Sequence, residues 1–487
     1  MLPRWPGLVQ EVGLPPLDLF ADVRVLMTAS PSYPVFALGV AAAVVVRSAV
    51  LAAIAGDGSR AAFVESLQFY GTALVPGLLA AGFEFSGAAA LYDWYLWIGM
   101  GIALLATLVM APGPWATGDG RKEEAPSRAG RLGTVAGYLV ALFALGALAR
   151  VGGKAASVGL VVPSALLTWR AEVRLQRRAG TARRVAAGVV AAALVALPVV
   201  AVIRLPNRGP SPILRPGSLF LVGGVDSATG SGPMFHLRPA SLGYDCRQTY
   251  YFSYVGPGKG VRHAHAACPV RSGKRYSRKD TQRSLSALIA TMREQLAALP
   301  GPVTIVTHSQ GAWIAWASLA QAPHSRGRPL RARRLVMLAP FPRGLVAYPR
   351  SGHTGPGRVG GDFLRAVSGF VRKLGIATYD PDAPLARRLL STPGAIGRVL
   401  ARRPSGRIRT VAVEPLSDLG LMPEGRSMPH ASNPCPVRAT HVSVVASGAT
   451  AGDINRFLDG RPPAACPLGA SWLAILTAPF GVPPSDT

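Results

Sequence analysis

The hydrophobic positions divide the chain into two parts with different patterns. The first part contains six nearly continuous apolar runs, at 34–55, 64–86, 92–111, 132–149, 155–169 and 185–204. Most of these runs reach or approach the roughly 20 residues that a helix needs to cross the hydrocarbon core of a bilayer. The run at 155–169 is short and Arg47 interrupts the first one. The pattern therefore predicts an all-α membrane domain of five or six helices over residues 1–204.

After residue 205 the apolar runs become shorter and alternate with helical patterns. A proline-rich segment at 205–217 predicts a short, stiff linker that keeps the following domain near the membrane. The later pattern predicts strands at 218–223, 250–255, 303–307, 334–339 and 409–414, and helices at 280–299, 311–321 and 360–375. Such alternation predicts an α/β domain over residues 218–487, with a mostly parallel sheet covered on both faces.

Basic loops predict how the first part is oriented. Arginines crowd the segment 170–184, before the last apolar run, and basic residues also occupy 121–131, between the third and fourth runs. Loops rich in Lys and Arg remain in the cytoplasm. The last span then carries everything after residue 205 to the other side. We therefore expect a multi-pass protein of the cell membrane with an extracytoplasmic C-terminal domain.

Composition supports a membrane protein and argues against a nucleic-acid-binding one. Of 487 residues, 49% are hydrophobic, which is high for a wholly soluble protein. The net charge is +28, but the basic residues are almost all Arg and are scattered through Ala-, Gly- and Pro-rich sequence. Nucleic-acid-binding surfaces concentrate basic residues in stripes with stacking aromatics. We expect no nucleic-acid partner, and an anionic membrane surface fits the charge better.

The four cysteines lie in the second half of the chain. An even number confined to one domain favours disulfides in an oxidising compartment, with four unpaired thiols as the alternative. Three connectivities are possible. Closeness in sequence favours the pairs Cys246 with Cys268 and Cys435 with Cys466.

One short segment carries the clearest chemical signal. The β-branched run that begins at Val303 ends in Thr307-His308-Ser309-Gln310-Gly311, and a helical pattern follows. A hydrolase places its serine on such a tight strand-to-helix turn, where a histidine can reach the hydroxyl and backbone N–H groups can face the oxyanion. The match to G-x-S-x-G is partial, because Thr307 stands where glycine is usual.

Together with the residues before and after it, this segment resembles the α/β-hydrolase superfamily, in particular its lipases and esterases. The resemblance covers residues 218–460 and depends on the order of oxyanion loop, nucleophile, acid and histidine. The stretch from Leu219 to Asp226 is similar to the strand and glycine turn of the oxyanion loop, without the histidine that usually precedes the glycine. By resemblance, the N–H groups of Val225 and Gln310 form the oxyanion hole.

The same resemblance implies a triad of Ser309 as nucleophile, Asp418 as acid and His441 as base. Asp418 lies on the turn after a predicted strand, and Glu414, at the end of that strand, is the alternative acid. His430, in an irregular loop, is the alternative base.

Three further segments stand out. The long connection at 343–405 is where this fold carries its lid, and its helix has an apolar stripe. Tyr276 to Thr281 precede a predicted helix, and either Asp280 or Thr281 is expected to cap it. A polar loop with two histidines beside Cys268 could indicate zinc, but no matched ligand pair accompanies it, so no metal or cofactor is expected.

The sequence thus predicts a membrane-anchored, extracytoplasmic serine hydrolase that cleaves esters of membrane lipids or acylated envelope molecules. An acyltransferase with the same triad is the nearest alternative. Another is a catalytically inactive membrane scaffold or sensor. The last alternative is a transporter, which is suggested by Arg47, Glu65 and Glu84 within or beside the apolar runs. The oligomeric state is not predicted.

Overall fold

The computed structural model describes residues 15–55, 59–90, 159–176, 213–262, 264–321, 331–340, 346–389, 391–392, 394–404, 407–416, 418 and 427–463, with scattered positions between 134 and 148. Among the described residues, the helices of the first part with assigned bounds are α1 (Leu17–Ala29), α2 (Tyr33–Ala55), α3 (Arg60–Ala90) and α4 (Val161–Gln176). Helices α1, α2 and α3 pack against one another.

Among the described residues, one helical stretch is long and apolar enough to cross a membrane, at Tyr33–Ala53 in α2. The described part of the chain therefore does not support a bundle of five or six spanning helices. The run at 64–86 lies in α3, which carries Glu65, Gln68 and Glu84, and the run at 155–169 overlaps the 16-residue α4. The runs at 92–111, 132–149 and 185–204 lie wholly or largely outside the described residues.

Several charged residues of these helices are paired between helices, while apolar side chains of α2 face outward. Arg24 Nε lies 2.9 Å from Glu84 Oε2, and both side chains are 2% exposed. Two nitrogens of Arg47 each donate to Asp22 at 2.9 Å. The exposed large apolar side chains of α2 are Val35, Leu38, Val45, Val46 and Val50. Two of the three charges that suggested a transporter are thus ion-paired between helices.

The second part is built on one parallel sheet, as the alternating pattern predicts. Its described strands are β1 (Ser218–Val222), β2 (Thr249–Tyr251), β3 (Val303–His308), β4 (Ala332–Leu338) and β5 (Arg409–Val413). They lie in the order β2-β1-β3-β4-β5, and every neighbouring pair is parallel. β1 and β3 are buried along their whole lengths, which their unbroken apolar and β-branched sequences allow.

In the described part of this domain, the α-helices with assigned bounds are α5 (Leu285–Ala298), α6 (Gln310–Ala320), α7 (Arg358–Lys373), α8 (Pro384–Leu389), α9 (Ala395–Ala401) and α10 (Gly448–Leu458). The predicted helix at 280–299 begins later than expected. A 3-10 turn, Arg278–Gln282, comes first, and Arg283 is extended. Ser284 then caps α5, so neither Asp280 nor Thr281 is its N-cap. The expected helices at 311–321 and 360–375 correspond to α6 and α7.

A short extended segment continues the sheet beyond β5. Ser432 and Val437 form isolated parallel bridges with Val411 and Pro415. Pro434 and Pro436 lie between the two bridges, and their missing N–H groups explain why this segment is not a regular strand. The segment leads to residue 441 at the same edge of the sheet as the ends of β1, β3 and β5.

The disulfide between Cys246 and Cys268 is present, as closeness in sequence favours. Cys435 is also disulfide-bonded. Its expected partner, Cys466, lies outside the described residues. Because Cys268 is in this disulfide, its sulfur is not a thiolate that could bind zinc in that loop.

Helix α7, from the predicted lid, packs against the N-terminal helices. A Cβ added at Gly82 would lie 2.6 Å from the ring of Phe363, and one added at Gly360 would lie 2.5 Å from the ring of Phe85. The hydroxyl of Tyr33 donates to Asp362 Oδ2 at 2.9 Å. The apolar stripe of α7 is therefore partly a packing surface, although Phe370 remains 63% exposed.

Candidate active site

From β1 the chain continues to β2 on one side and then to β3, β4 and β5 on the other, so the strand order switches direction between β1 and β3. Open parallel sheets hold their ligands at such switch points, beyond the carboxyl ends of the strands. Ser309 lies at this position, between the end of β3 and the start of α6. Its φ of 54° and ψ of −129° are strained for a residue with a side chain. Its N–H donates to Leu338 O at 2.9 Å, which fixes the turn to β4. This is the geometry of a nucleophile elbow.

Glycines allow the turn after β1 to pack against this elbow. A Cβ at Gly311 would lie 2.6 Å from Gly223 O, and one at Gly224 would lie 2.9 Å from Ser309 Cβ. Thr307, by contrast, is accommodated where glycine is usual. Its buried hydroxyl donates to Val336 O at 3.1 Å, so the side chain lies against the neighbouring strand β4.

The predicted acid and histidine are in direct contact. His441 Nδ1 donates to Asp418 Oδ2 at 2.7 Å, and the two residues are 7% and 2% exposed. A proton held on Nδ1 leaves Nε2 as the basic nitrogen of a neutral imidazole. The carboxylate therefore fixes the tautomer that a general base requires.

The alternatives for these two roles are placed differently. His430 is exposed, and its carbonyl oxygen accepts a bond from Thr410 Oγ1 at 2.8 Å. Glu414 is buried, and within the described residues its Oε1 has no hydrogen-bond partner. Burial, with a smaller contribution from the nearby Asp418, raises the pKa of Glu414 well above its ordinary value. The hydrogen bond that His441 makes is to Asp418, so the geometry favours Asp418 as the acid.

His308 connects the elbow to the segment that carries His441. Its Nε2 donates to the carbonyl oxygen of His441 at 2.7 Å, and the two ring centroids are 4.9 Å apart. Burial lowers the pKa of His308 to about 3, so its ring is neutral at physiological pH. His308 thus brings His441 beside the elbow and is not placed as the base.

The predicted oxyanion residues lie on the two turns that meet here. Val225 follows the glycines after β1, and Gln310 is the first residue of α6. The N–H of Asp226 donates to Thr281 Oγ1 at 3.2 Å, so this neighbouring amide is already bonded. The side-chain amide of Gln310 donates to Thr281 O at 2.7 Å. Both turns are therefore held by the same residue, Thr281.

A scan against protein-family models and a search of curated proteins found no match for this chain.

Two contributions to the site were missed in the sequence. The sequence predicts only a helix cap at Asp280 or Thr281, and its pattern does not connect the segment after α7 with the oxyanion loop. Thr378 nevertheless donates to Asp226 Oδ1 from both its N–H, at 2.9 Å, and its hydroxyl, at 2.5 Å. The one available signal was the Tyr276 to Thr281 motif, whose polar residues exceed what one helix cap needs.

Proposed function

We propose that this protein is a membrane-anchored serine hydrolase that cleaves carboxylic esters through an acyl-enzyme on Ser309. The observation that carries the proposal is the strained backbone of Ser309 at the carboxyl edge of the sheet, beside a buried Asp418–His441 pair. A strained non-glycine residue of this kind persists only where the surroundings enforce it, and such residues cluster at functional sites.

The chemistry follows from these positions. His441 Nε2 takes the proton of the Ser309 hydroxyl as the oxygen attacks the ester carbonyl, and it returns that proton to the leaving alcohol. Asp418 stabilises the imidazolium that forms. The N–H groups of Val225 and Gln310 stabilise the oxyanion, and each donor of this type contributes about 2.7–4 kcal/mol to lowering the barrier. In the second half of the reaction, His441 takes a proton from water as the water oxygen attacks the acyl carbonyl. The bond between Ser309 Oγ and the acyl group then breaks, His441 returns the proton to Oγ, and the carboxylic acid leaves.

Three observations support a substrate that comes from the membrane. Helix α2 is long and apolar enough to span a bilayer, and it exposes apolar side chains along its length. Helix α7 links the ends of α2 and α3 to the hydrolase domain through Tyr33 and Phe85. The exposed Phe370, Leu374 and Ile376 lie at the end of α7 and just after it. We propose lipids or acylated envelope molecules as the substrate class.

The arrangement also fits the orientation that the basic loops predict. With residues 121–131 and 170–184 in the cytoplasm, the start of α2 and the end of α3 lie on the outer side. These are the ends that contact α7. We therefore propose a multi-pass protein with an extracytoplasmic catalytic domain.

A fluorophosphonate probe tests the catalytic proposal on the full chain in detergent micelles. The wild type should be labelled at Ser309, and Ser309→Ala should not. Ser318→Ala is a matched control, because Ser318 lies on the same helix and its buried hydroxyl donates to Ile314 O at 2.6 Å. A folded wild type that remains unlabelled, or a labelled Ser309→Ala variant, contradicts the proposal.

A membrane-impermeant version of the probe tests the orientation. Intact cells that produce the protein should give the same labelling as lysed cells. Labelling that requires lysis contradicts an extracytoplasmic domain but leaves the catalytic proposal standing.

A further inference from the structure

Thr281 lies at the centre of the contacts between the two turns that form the proposed oxyanion hole. It is fully buried and belongs to the 3-10 turn Arg278–Gln282. None of the catalytic steps above uses it.

The two polar groups of Thr281 act on different sides of the hole. Its Oγ1 accepts the N–H of Asp226 at 3.2 Å, next to the predicted donor Val225. Its carbonyl oxygen accepts the side-chain amide of Gln310 at 2.7 Å, on the residue that supplies the other donor. The same hydroxyl donates to Arg278 O at 2.6 Å, which orients its lone pairs toward Asp226.

Asp226 needs such restraint because its backbone is strained. Its φ is 63°, in the left-handed region that non-glycine residues rarely adopt. The N–H of Asp226 is held by Thr281, and its carboxylate is held by Thr378. The first bond restrains the peptide plane between Val225 and Asp226, and the second restrains the Asp226 side chain. Val225, whose N–H is the predicted donor, is the residue immediately before this plane.

The preceding glycine turn is held in a related way. The hydroxyl of Tyr254 donates to Gly223 O at 2.7 Å. Ser227 Oγ donates to Gly224 O at 2.8 Å. Two side-chain hydroxyls, of Tyr254 and Ser227, therefore hold the carbonyl groups of the glycine turn.

We propose that Thr281 is a positioning residue for the oxyanion hole, which it acts on through Asp226 and Gln310. This inference rests on the proposed hydrolase function and deepens it. Oxyanion donors are effective because they are already aimed at the developing charge, so small displacements of either turn reduce catalysis without removing the donors.

The test uses Thr281→Val, which keeps the shape of the side chain and removes the acceptor for the Asp226 N–H. With p-nitrophenyl butyrate as substrate, kcat should fall about 10- to 100-fold. KM should change by less than about two-fold, because the lost interaction acts in the transition state. Affinity for a trifluoromethyl ketone, whose tetrahedral adduct fills the hole, should fall by the same factor as kcat/KM.

Two further variants separate positioning from a structural effect. Thr281→Ser keeps the hydroxyl and should recover most of kcat. Thr450→Val removes another buried threonine hydroxyl, one without a hydrogen-bond partner among the described residues, and should leave kcat unchanged. If Thr281→Val does not fold, Gln310→Met removes the bond to Thr281 O from the other side and should show the same loss of kcat and of ketone affinity.

The inference is overturned if a folded Thr281→Val, or Gln310→Met in its place, keeps wild-type kcat and ketone affinity. It is also overturned if Thr281→Ser is as defective as Thr281→Val. Failure of the hydrolase proposal looks different, because the wild type itself then neither hydrolyses the ester nor reacts with the fluorophosphonate.

Discussion

Among the described residues, each part of the molecule contains a buried pair of a carboxylate with a basic side chain, and the two pairs differ in what surrounds them. Arg24 and Glu84 join α1 to α3, and both side chains are 2% exposed. Asp418 and His441 join two loops at the edge of the sheet, at a distance of 2.7 Å. The first pair lies within the packing of helices whose outer surface is apolar. The second lies beside a strained serine and the glycine turn that abuts it.

This difference indicates what each pair contributes. A buried ion pair between helices has no reactive neighbour, so its loss should affect folding and leave the chemistry of the folded protein unchanged. The Asp418–His441 pair orients a ring nitrogen, so its loss should affect the reaction far more than the fold. The helix α7 connects the two regions, but it contacts the N-terminal helices through packing and the Tyr33–Asp362 bond and not through either pair.

The largest expected effect comes from Asp418→Asn. An amide cannot stabilise the imidazolium and favours the wrong tautomer of His441, so kcat should fall by about 10⁴-fold. The thermal unfolding temperature should change little by comparison, because the amide keeps the shape of the carboxylate. Ester hydrolysis and circular dichroism of the same sample measure both quantities. A variant with near wild-type kcat contradicts the role of Asp418.

Arg24→Met should have the converse effect. It leaves Glu84 buried without its counter-charge, which typically costs about 3–5 kcal/mol of unfolding free energy. The fraction that remains folded should hydrolyse ester at the wild-type rate. Thermal unfolding in detergent and activity per labelled Ser309 measure the two quantities.

The double variant Arg24→Met/Glu84→Leu is the control for that experiment. It removes both charges, so it should recover much of the lost stability. If Arg24→Met is as stable as the wild type, the Arg24–Glu84 pair does not stabilise the fold. If folded Arg24→Met has a reduced kcat, the pair is not confined to a role in folding. Either result contradicts the distinction between the two pairs.

A smaller effect is expected from Glu414, a buried carboxyl whose Oε1 has no hydrogen-bond partner among the described residues. Burial, and to a lesser extent Asp418, raises the pKa of Glu414 well above its ordinary value of 4.5. Below that ordinary value both the folded and the unfolded chain hold the proton. As the pH rises, the unfolded chain ionises first, so the folded state loses stability until its own pKa is passed.

Glu414→Gln removes this pH dependence because its side chain is always neutral. The stability of the variant relative to the wild type should therefore increase from pH 4 to pH 8. Unfolding temperatures of both proteins at the two pH values measure the difference. A difference that does not change with pH contradicts a protonated Glu414.

The sequence predicted the parts of the site that depend on local pattern. The β-branched run before Thr307 and the helical pattern after Gly311 located the elbow, and alternation located the five strands of the parallel sheet. The resemblance to the α/β-hydrolase superfamily implies His441 as the base, with His430 as the alternative, and in the structure His441 contacts Asp418.

The remaining features depend on contacts between residues that are far apart in the chain. Thr281 and Thr378 approach Asp226 only because the 3-10 turn and the segment after α7 fold back over the end of β1. The apolar stripe of α7 did not indicate that Phe363 packs on Gly82, since an apolar side chain fits a protein core, another helix or a lipid equally well. Propensity and periodicity carry no information on such pairings.

The central claim is that Ser309, the Asp418–His441 pair and the two turns form one catalytic site. An experimental structure of the fluorophosphonate adduct of the full chain tests this claim most directly. We expect phosphorus bonded to Ser309 Oγ, with the phosphoryl oxygen about 2.7–3.1 Å from the N–H nitrogens of Val225 and Gln310. His441 Nε2 should face the serine oxygen. An adduct on another residue, or a phosphoryl oxygen directed away from both N–H groups, would contradict the claim.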